Sequence, residues 1–158
     1  MGNYSTYKKL ETMQYLCNYE MEKLGIKNTG PVNVIAQKMI TDNVNGNYSH
    51  AERIISLNLV NLSNFTLKEA ASTLCHEVFH TYEHSIIDSA DLLYKEHGIN
   101  IVSYEPYFDS LKALISANNN YSDDHNNYET YESNMLEEES RKYSQKEVPE
   151  LIETFKWE

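Results

Sequence analysis

Cysteine is scarce in this chain, which contains only Cys17 and Cys75. Two cysteines at this separation form neither a disulfide framework nor a Cys-x-x-Cys metal or redox motif. Cys75 falls within an apolar helical pattern, where a small buried hydrophobic residue is the usual interpretation. The low cysteine content therefore predicts a reducing, cytoplasmic setting.

Basic residues are also few, since 13 Lys and Arg stand against 24 Asp and Glu and the formal net charge is −11. This deficit argues against broad nucleic-acid binding, which needs basic side chains against phosphate, and against an anionic membrane surface. Long apolar runs are missing as well. The sequence has no run of about 18 apolar residues and no basic-then-apolar start, so it predicts neither a membrane span nor a signal peptide.

What the chain does have is enough apolar residues, 41% of 158, to bury a core. The length predicts one domain over residues 1–158, and no repeat or linker divides it. We expect an α+β fold: a mainly helical domain with a small antiparallel sheet packed beside a central helix.

The predicted elements follow from periodicity and turn residues. Helical spacing predicts a first helix over residues 4–24, ending at Gly25. Asn45-Gly46 is a hairpin signal, residues 53–58 read as a strand, and a strand is favoured over a short helix at 34–40. An exposed edge of this sheet could accept an extended peptide or could be purely structural. Later helices are predicted over residues 66–87, 89–96, from 106, over 128–146 and from Pro149, with a polar loop at 118–127.

The central feature is the H-E-x-x-H motif formed by His76, Glu77 and His80. Residues four apart lie on one helix face, so the two imidazoles can bind one metal ion. Glu77 lies about 100° around the helix, where it can take a proton from a metal-held water without being a ligand. The alternative is two polar residues on an ordinary core helix, but ligand spacing with an intervening Glu favours the metal.

The helix that carries the motif is well marked in sequence. Thr66-x-x-Glu69 has the spacing of a capping box immediately before an apolar-periodic run. No Gly or Pro interrupts the run. We therefore expect the motif to lie on a helix with one buried face.

A catalytic zinc site usually has three protein ligands, and the third must come from elsewhere in this chain. The extended pattern H-E-x-x-H-x-x-G-x-x-H is not present, because Glu83 and Ile86 occupy its Gly and His positions. His84 follows His80 by one turn, but one straight helix rarely surrounds an ion over three turns. We expect His84 beside the site or on the surface.

The acidic run 137–139 is the better source, although most such runs are solvated surface. One predicted helical stripe combines a carboxylate with small residues that let two helices approach closely: Ser133, Glu137, Ser140 and Ser144. This stripe favours Glu137 as the third ligand, with Glu138 as the alternative. Glu139 would then be free to hydrogen-bond a ligating histidine or Arg141.

These segments resemble the small gluzincin-type zinc metallopeptidases of phages and conjugative elements, the ImmA/IrrE-like group. The resemblance covers roughly residues 46–146, through residues 46–58, the central helix and residues 128–144. In that family a second helix carries a pattern close to E-x-[DE]-A-x-x-[YF]-A, whose first Glu completes the zinc site. Here that residue is Glu137, and Ser140 and Ser144 replace Ala.

The resemblance implies a minimal zincin-like fold, one zinc ion and a protein substrate, such as a phage-type repressor. An additional DNA-binding domain, which some relatives have, is not found. The predicted function is a zinc-dependent endopeptidase with Glu77 as general base. Tyr128, Tyr131 or Tyr143 could steady the oxyanion, and the sequence does not choose among them.

Two alternatives remain open from sequence. One is a non-catalytic, metal-stabilised module that binds a basic protein through its acidic surface. A structural zinc is usually closed by a fourth protein ligand, which His125 or His84 could supply. The other alternative has no metal at all.

Overall fold

The computed structural model describes residues 5–41, 43–98 and 135–157. The helix predicted from residue 106 and the loop predicted at 118–127 lie outside these ranges. The elements are α1 (Thr6–Lys23), a 3-10 turn (Lys27–Thr29), β1 (Asn33–Gln37), β2 (Gly46–Ser49), β3 (Ile54–Asn58), α2 (Leu59–Asn64), α3 (Leu67–His97) and α4 (Met135–Phe155). The prediction of a mainly helical α+β fold with a small sheet is confirmed.

The sheet is mixed, so the prediction of a purely antiparallel sheet was wrong. Its strand order is β1-β3-β2; β3 pairs in parallel with β1 and antiparallel with β2. Asn45-Gly46 is not a hairpin loop, because Gly46 is the first residue of β2. The chain reverses between β2 and β3 instead, where Arg53 adopts the left-handed φ of 58°.

Gly46 has a packing role that explains its position. A Cβ atom there would lie 2.9 Å from Thr73 Cγ2 and 3.1 Å from the carbonyl oxygen of Ser56. With contacts this short, a side chain would force Thr73 or the Ser56 carbonyl to shift, so glycine lets β2 begin directly against α3.

The start of α3 is the predicted capping box. The Thr66 N–H donates to Glu69 Oε2 at 2.7 Å, and the Glu69 N–H donates to Thr66 Oγ1 at 3.2 Å. The helix then runs unbroken for 31 residues and is followed by Gly98 at φ 66°. The break predicted near residue 88 was wrong, because no Gly or Pro interrupts the backbone hydrogen bonding between residues 87 and 89.

The core forms where α3 packs against α1, α4, β2 and β3. Leu74 and Cys75 are fully buried there, so Cys75 is the small core residue that the sequence predicts. Burial of a leucine such as Leu74 contributes about 2 kcal/mol of hydrophobic free energy. Other buried members are Met13, Leu16, Ile55, Leu57, Val78 and Leu151.

α4 is one helix, with Pro149 inside it rather than at the start of a separate helix as predicted. Proline has no backbone N–H, so the helix lacks one hydrogen bond at this position. The buried side chains of Val148 and Leu151 flank Pro149 and hold the helix to the core. Ser140 and Ser144 are also buried, which gives α4 its close approach to α3. Among the described residues, no helix has the length and apolar character needed to cross a membrane.

Candidate metal centre

Three side chains from α3 and α4 converge on one point. Nε2 of His76 lies 3.2 Å from Nε2 of His80, since residues four apart on a helix carry their side chains on the same face and the two rings converge. Glu137 of α4 completes the group: its Oε2 lies 2.8 Å from Nε2 of His76, and its Oε1 lies 3.0 Å from Nε2 of His80. These residues could hold a metal ion.

The donor atoms fit a metal both in kind and in spacing. Ligands at ordinary zinc bond lengths around a tetrahedral ion lie about 3.3 Å apart. The two imidazole nitrogens lie 3.2 Å apart, and each lies within 3.0 Å of a different carboxylate oxygen of Glu137. With one donor atom from each residue, the three donors all lie within 4.8 Å of one another. Two imidazole nitrogens and one carboxylate suit several divalent transition metals, so the geometry does not select zinc among them.

The electrostatics of the group favour a bound cation. Burial opposes ionisation of Glu137, yet its hydrogen bonds to His76 and His80 hold the pKa of this carboxyl well below its usual range. Burial would lower the pKa of His80, but hydrogen bonds to Glu137 and Glu83 raise it to about 10. The site therefore carries a buried carboxylate that attracts positive charge, whether a proton or a metal ion.

Glu77 lies beside the three donors without joining them. It is 5% exposed and lines the same cleft as His76 and Glu137. Burial raises the pKa of Glu77, and the neighbouring histidines offset part of that rise. A carboxylate with a raised pKa at the cleft wall is suited to accepting a proton.

The cleft has a volume of about 330 Å³ and lies between three parts of the chain. The segment leading into β2 forms one side, α3 forms the floor and α4 forms the other side. Its lining is mostly polar and comprises Asn43, Val44, Asn45, Gly46, Ser72, Thr73, His76, Glu77, Glu137, Arg141, Ser144 and Gln145.

The other two acidic residues of the run face away from this point. Glu138 forms an ion pair with Lys142 at 3.0 Å, and Glu139 lies 3.7 Å from the same ammonium. Successive helical residues are rotated by about 100°, so Glu138 and Glu139 cannot share the direction of Glu137. Glu139, which we expect to hydrogen-bond a ligating histidine or Arg141, lies against Lys142 in the structure.

Glu83 occupies that supporting position instead. Its Oε1 lies 3.2 Å from Nδ1 of His80 and accepts a hydrogen bond from Ser140 at 2.9 Å. The sequence offered a signal for this residue, because Glu83 follows His80 by three positions and so lies on the same helix face.

The Tyr143 hydroxyl is not directed toward the donor group, as a role in stabilising an oxyanion would require. Its hydroxyl donates to Glu20 of α1, and its ring stacks on Phe79 with centroids 4.8 Å apart. The hydroxyl is thus directed into the core. Tyr128 and Tyr131, the other two candidates, lie outside the described residues.

His84 does not join the donor group. Its ring stacks on that of His50 with centroids 4.6 Å apart, and burial lowers the pKa of His84 to about 4. The sequence predicts His84 beside the site or on the surface; in the structure it is half-buried and its ring contacts those of His50 and Tyr48. His125 lies outside the described residues.

No known protein family, curated protein sequence or solved structure matches this chain. The fold and the site together define a mainly helical α+β protein with a candidate metal centre of two histidines and one glutamate.

Proposed function

We propose that this protein is a zinc-dependent endopeptidase of the gluzincin type, which hydrolyses peptide bonds in a protein substrate. The observation that carries the proposal is the convergence of His76, His80 and Glu137, with Glu77 in the wall of the same cleft. A carboxylate beside a three-donor site has a use in hydrolysis that simple metal storage would not require.

Each residue of the site has a distinct role in this proposal. His76 and His80 would hold the ion through Nε2, and Glu137 would hold it through its carboxylate. When bound, zinc supplies a water whose pKa is lowered toward neutrality and polarises the scissile carbonyl. Glu77, in the wall of the same cleft, would act as the general base toward the attacking water and would return the proton to the leaving amine.

The cleft can also position a substrate. Among the described residues β2 lies at an edge of the sheet, and its first residue, Gly46, lines the cleft, so an extended peptide could pair with this edge. Arg141 lines the opposite wall one helical turn after Glu137. As a cation on this wall, Arg141 would attract the negative charge of a developing oxyanion.

The substrate class follows from the sequence resemblance. We propose a folded cytoplasmic regulator, such as a phage-type repressor, cut within an extended segment that fits the cleft. The acidic chain favours substrates with basic surroundings through charge complementarity.

The test compares wild type with Glu77→Gln after reconstitution with one zinc ion per chain. The substrates are a fluorescently labelled unfolded casein and purified phage-type repressors. We expect both proteins to retain zinc, since Glu77 is not a ligand, and the variant to cleave about 10²- to 10⁴-fold more slowly.

Equal cleavage by wild type and Glu77→Gln would remove Glu77 from the mechanism. If zinc-loaded wild type cleaved neither these proteins nor an unbiased peptide library, the endopeptidase proposal would fail. The metal-stabilised binding module would then be the better account.

A further inference from the structure

We infer that Glu83, held by Ser140, is a positioning residue of the metal centre, which orients the His80 ring so that its Nε2 faces the ion. This inference rests on the proposed metal site. Glu83 is 1% exposed and its Oε1 lies 3.2 Å from Nδ1 of His80. Ser140 of α4 donates to that same oxygen at 2.9 Å and lies 3.2 Å from Nδ1.

The chemistry of imidazole explains why this contact matters. A neutral histidine has one protonated nitrogen, and a ligating nitrogen must keep its lone pair. For Nε2 of His80 to bind a metal, Nδ1 must carry the hydrogen. A carboxylate oxygen at Nδ1 accepts that hydrogen, which selects the required tautomer and restrains rotation of the ring.

A purely structural role does not explain a glutamate at position 83. Of its two carboxylate oxygens, Oε2 is buried and has no hydrogen-bond partner among the described residues. A buried acid with one unpaired oxygen is costly compared with an apolar side chain of similar size. The contacts of Oε1 with His80 and Ser140 are therefore what the residue is placed to make.

α4 contributes to both the donor group and its support. α4 supplies Glu137 to the donor group and, three residues later, supplies the Ser140 hydroxyl to Glu83. Both contacts use the same face of α4, and Ser140 is fully buried between the helices. Docking of α4 therefore places a ligand and at the same time fixes the support of a second ligand.

The test measures metal affinity by competition with a chromophoric chelator, which needs no substrate. The variants are Glu83→Gln, Glu83→Leu and Ser140→Ala, and the matched control is Glu139→Gln, whose carboxylate faces Lys142. We expect Glu83→Leu to bind zinc about 10- to 100-fold more weakly. Glu83→Gln, which keeps an acceptor oxygen, and Ser140→Ala should lose less, and Glu139→Gln should match wild type.

Cobalt substitution gives a readout that loss of stability alone would not move. The visible spectrum of bound Co²⁺ reports ligand geometry, so it should change in Glu83→Leu and stay unchanged in Glu139→Gln. Urea unfolding of the metal-free proteins should show a loss of stability in Glu83→Leu, because one partner of a buried hydrogen-bonded group has been removed. The cobalt spectrum, and not the stability, therefore decides the positioning role.

Wild-type affinity and a wild-type cobalt spectrum in both Glu83 variants would overturn the inference and leave the endopeptidase proposal intact. The same holds if zinc binding is weaker in Glu83→Leu but its cobalt spectrum is that of wild type. If the Glu83 variants bind metal more weakly and wild type cleaves no substrate, the positioning role is supported and the endopeptidase proposal is refuted. If neither Glu83 variant folds, Ser140→Ala decides by the same measurements, and a wild type without metal affinity would overturn both proposals.

Discussion

Nε2 of His76 lies 2.8 Å from Oε2 of Glu137, although 61 positions of sequence separate the two residues. This contact joins α3 to α4 at the point where a metal ion would bind. The candidate metal centre is thus a link between two distant parts of the chain, and several outcomes depend on that link.

Replacing single acidic residues of the 137–139 run should distinguish the metal ligand from the residues that lie on the surface. Glu137→Gln removes an anionic donor that is 1% exposed, so we expect zinc affinity to fall by about 100-fold or more. Glu138→Gln removes an exposed partner of Lys142 and should leave affinity unchanged. Isothermal titration with zinc measures both, and an equal loss in the two variants would contradict Glu137 as the ligand.

Zinc should raise the melting temperature, because binding requires α3 and α4 to be docked. At a zinc concentration of a hundred dissociation constants we expect about 2.7 kcal/mol of added stability, or roughly 5–10 °C. Differential scanning calorimetry with zinc and then with chelator measures the shift. Glu137→Gln is the control and should show little of it, whereas an unchanged wild-type melting temperature would count against the site.

The buried carboxyl of Glu20 should make stability fall as the pH rises toward neutrality. Burial raises the pKa of Glu20 to about 7; the Tyr143 hydrogen bond opposes this rise, and Glu147 adds to it. Between pH 4.5 and 7 the folded chain keeps a proton that the unfolded chain has lost, so the free energy of unfolding decreases through this window as pH increases.

Glu20→Gln should flatten that decline and gain stability over wild type at pH 7 and above. Urea unfolding at pH 5, 6, 7 and 8 in the presence of chelator measures the difference between the two proteins. Glu22→Gln, an exposed acid on the same helix, is the matched control. A parallel pH dependence in wild type and Glu20→Gln would show that Glu20 does not keep its proton.

Position 46 should accept only glycine without loss of stability. A methyl group in Gly46→Ala meets Thr73 Cγ2 at 2.9 Å, so we expect a cost of about 1–3 kcal/mol. Adding Thr73→Ser removes that methyl and should recover part of the loss, while Thr73→Ser alone should have a small effect. Full tolerance of Gly46→Ala in urea unfolding would mean that β2 and α3 separate readily.

Local patterns allowed much of this structure to be predicted from sequence. The capping box at Thr66 and the spacing of His76 and His80 depend only on helix geometry, which is a property of neighbouring residues. The small-residue stripe that favours Glu137 depends on the same periodicity. The sequence favours Glu137 because small residues beside it let two helices approach closely. The structure shows this close approach, and it brings the Glu137 carboxylate to both histidines.

Pairings between distant segments could not be predicted in the same way. The parallel contact of β1 with β3 depends on which strands meet in three dimensions, and a plausible turn at Asn45-Gly46 favoured a different pairing. The packing of Gly46 against Thr73 has no local signal that distinguishes it from a turn glycine. Pro149 continues a helix because of burial around it, which overrides its usual preference for a first turn.

The continuity of α3 has a consequence for how the protein opens in solution. Helices fray from their ends, and this one extends well beyond the motif toward Leu67 on one side and His97 on the other. The amide hydrogens of His76 to His80 should therefore exchange with deuterium only when the whole fold comes apart. Loss and capture of the ion would then need no local melting of the segment that holds it.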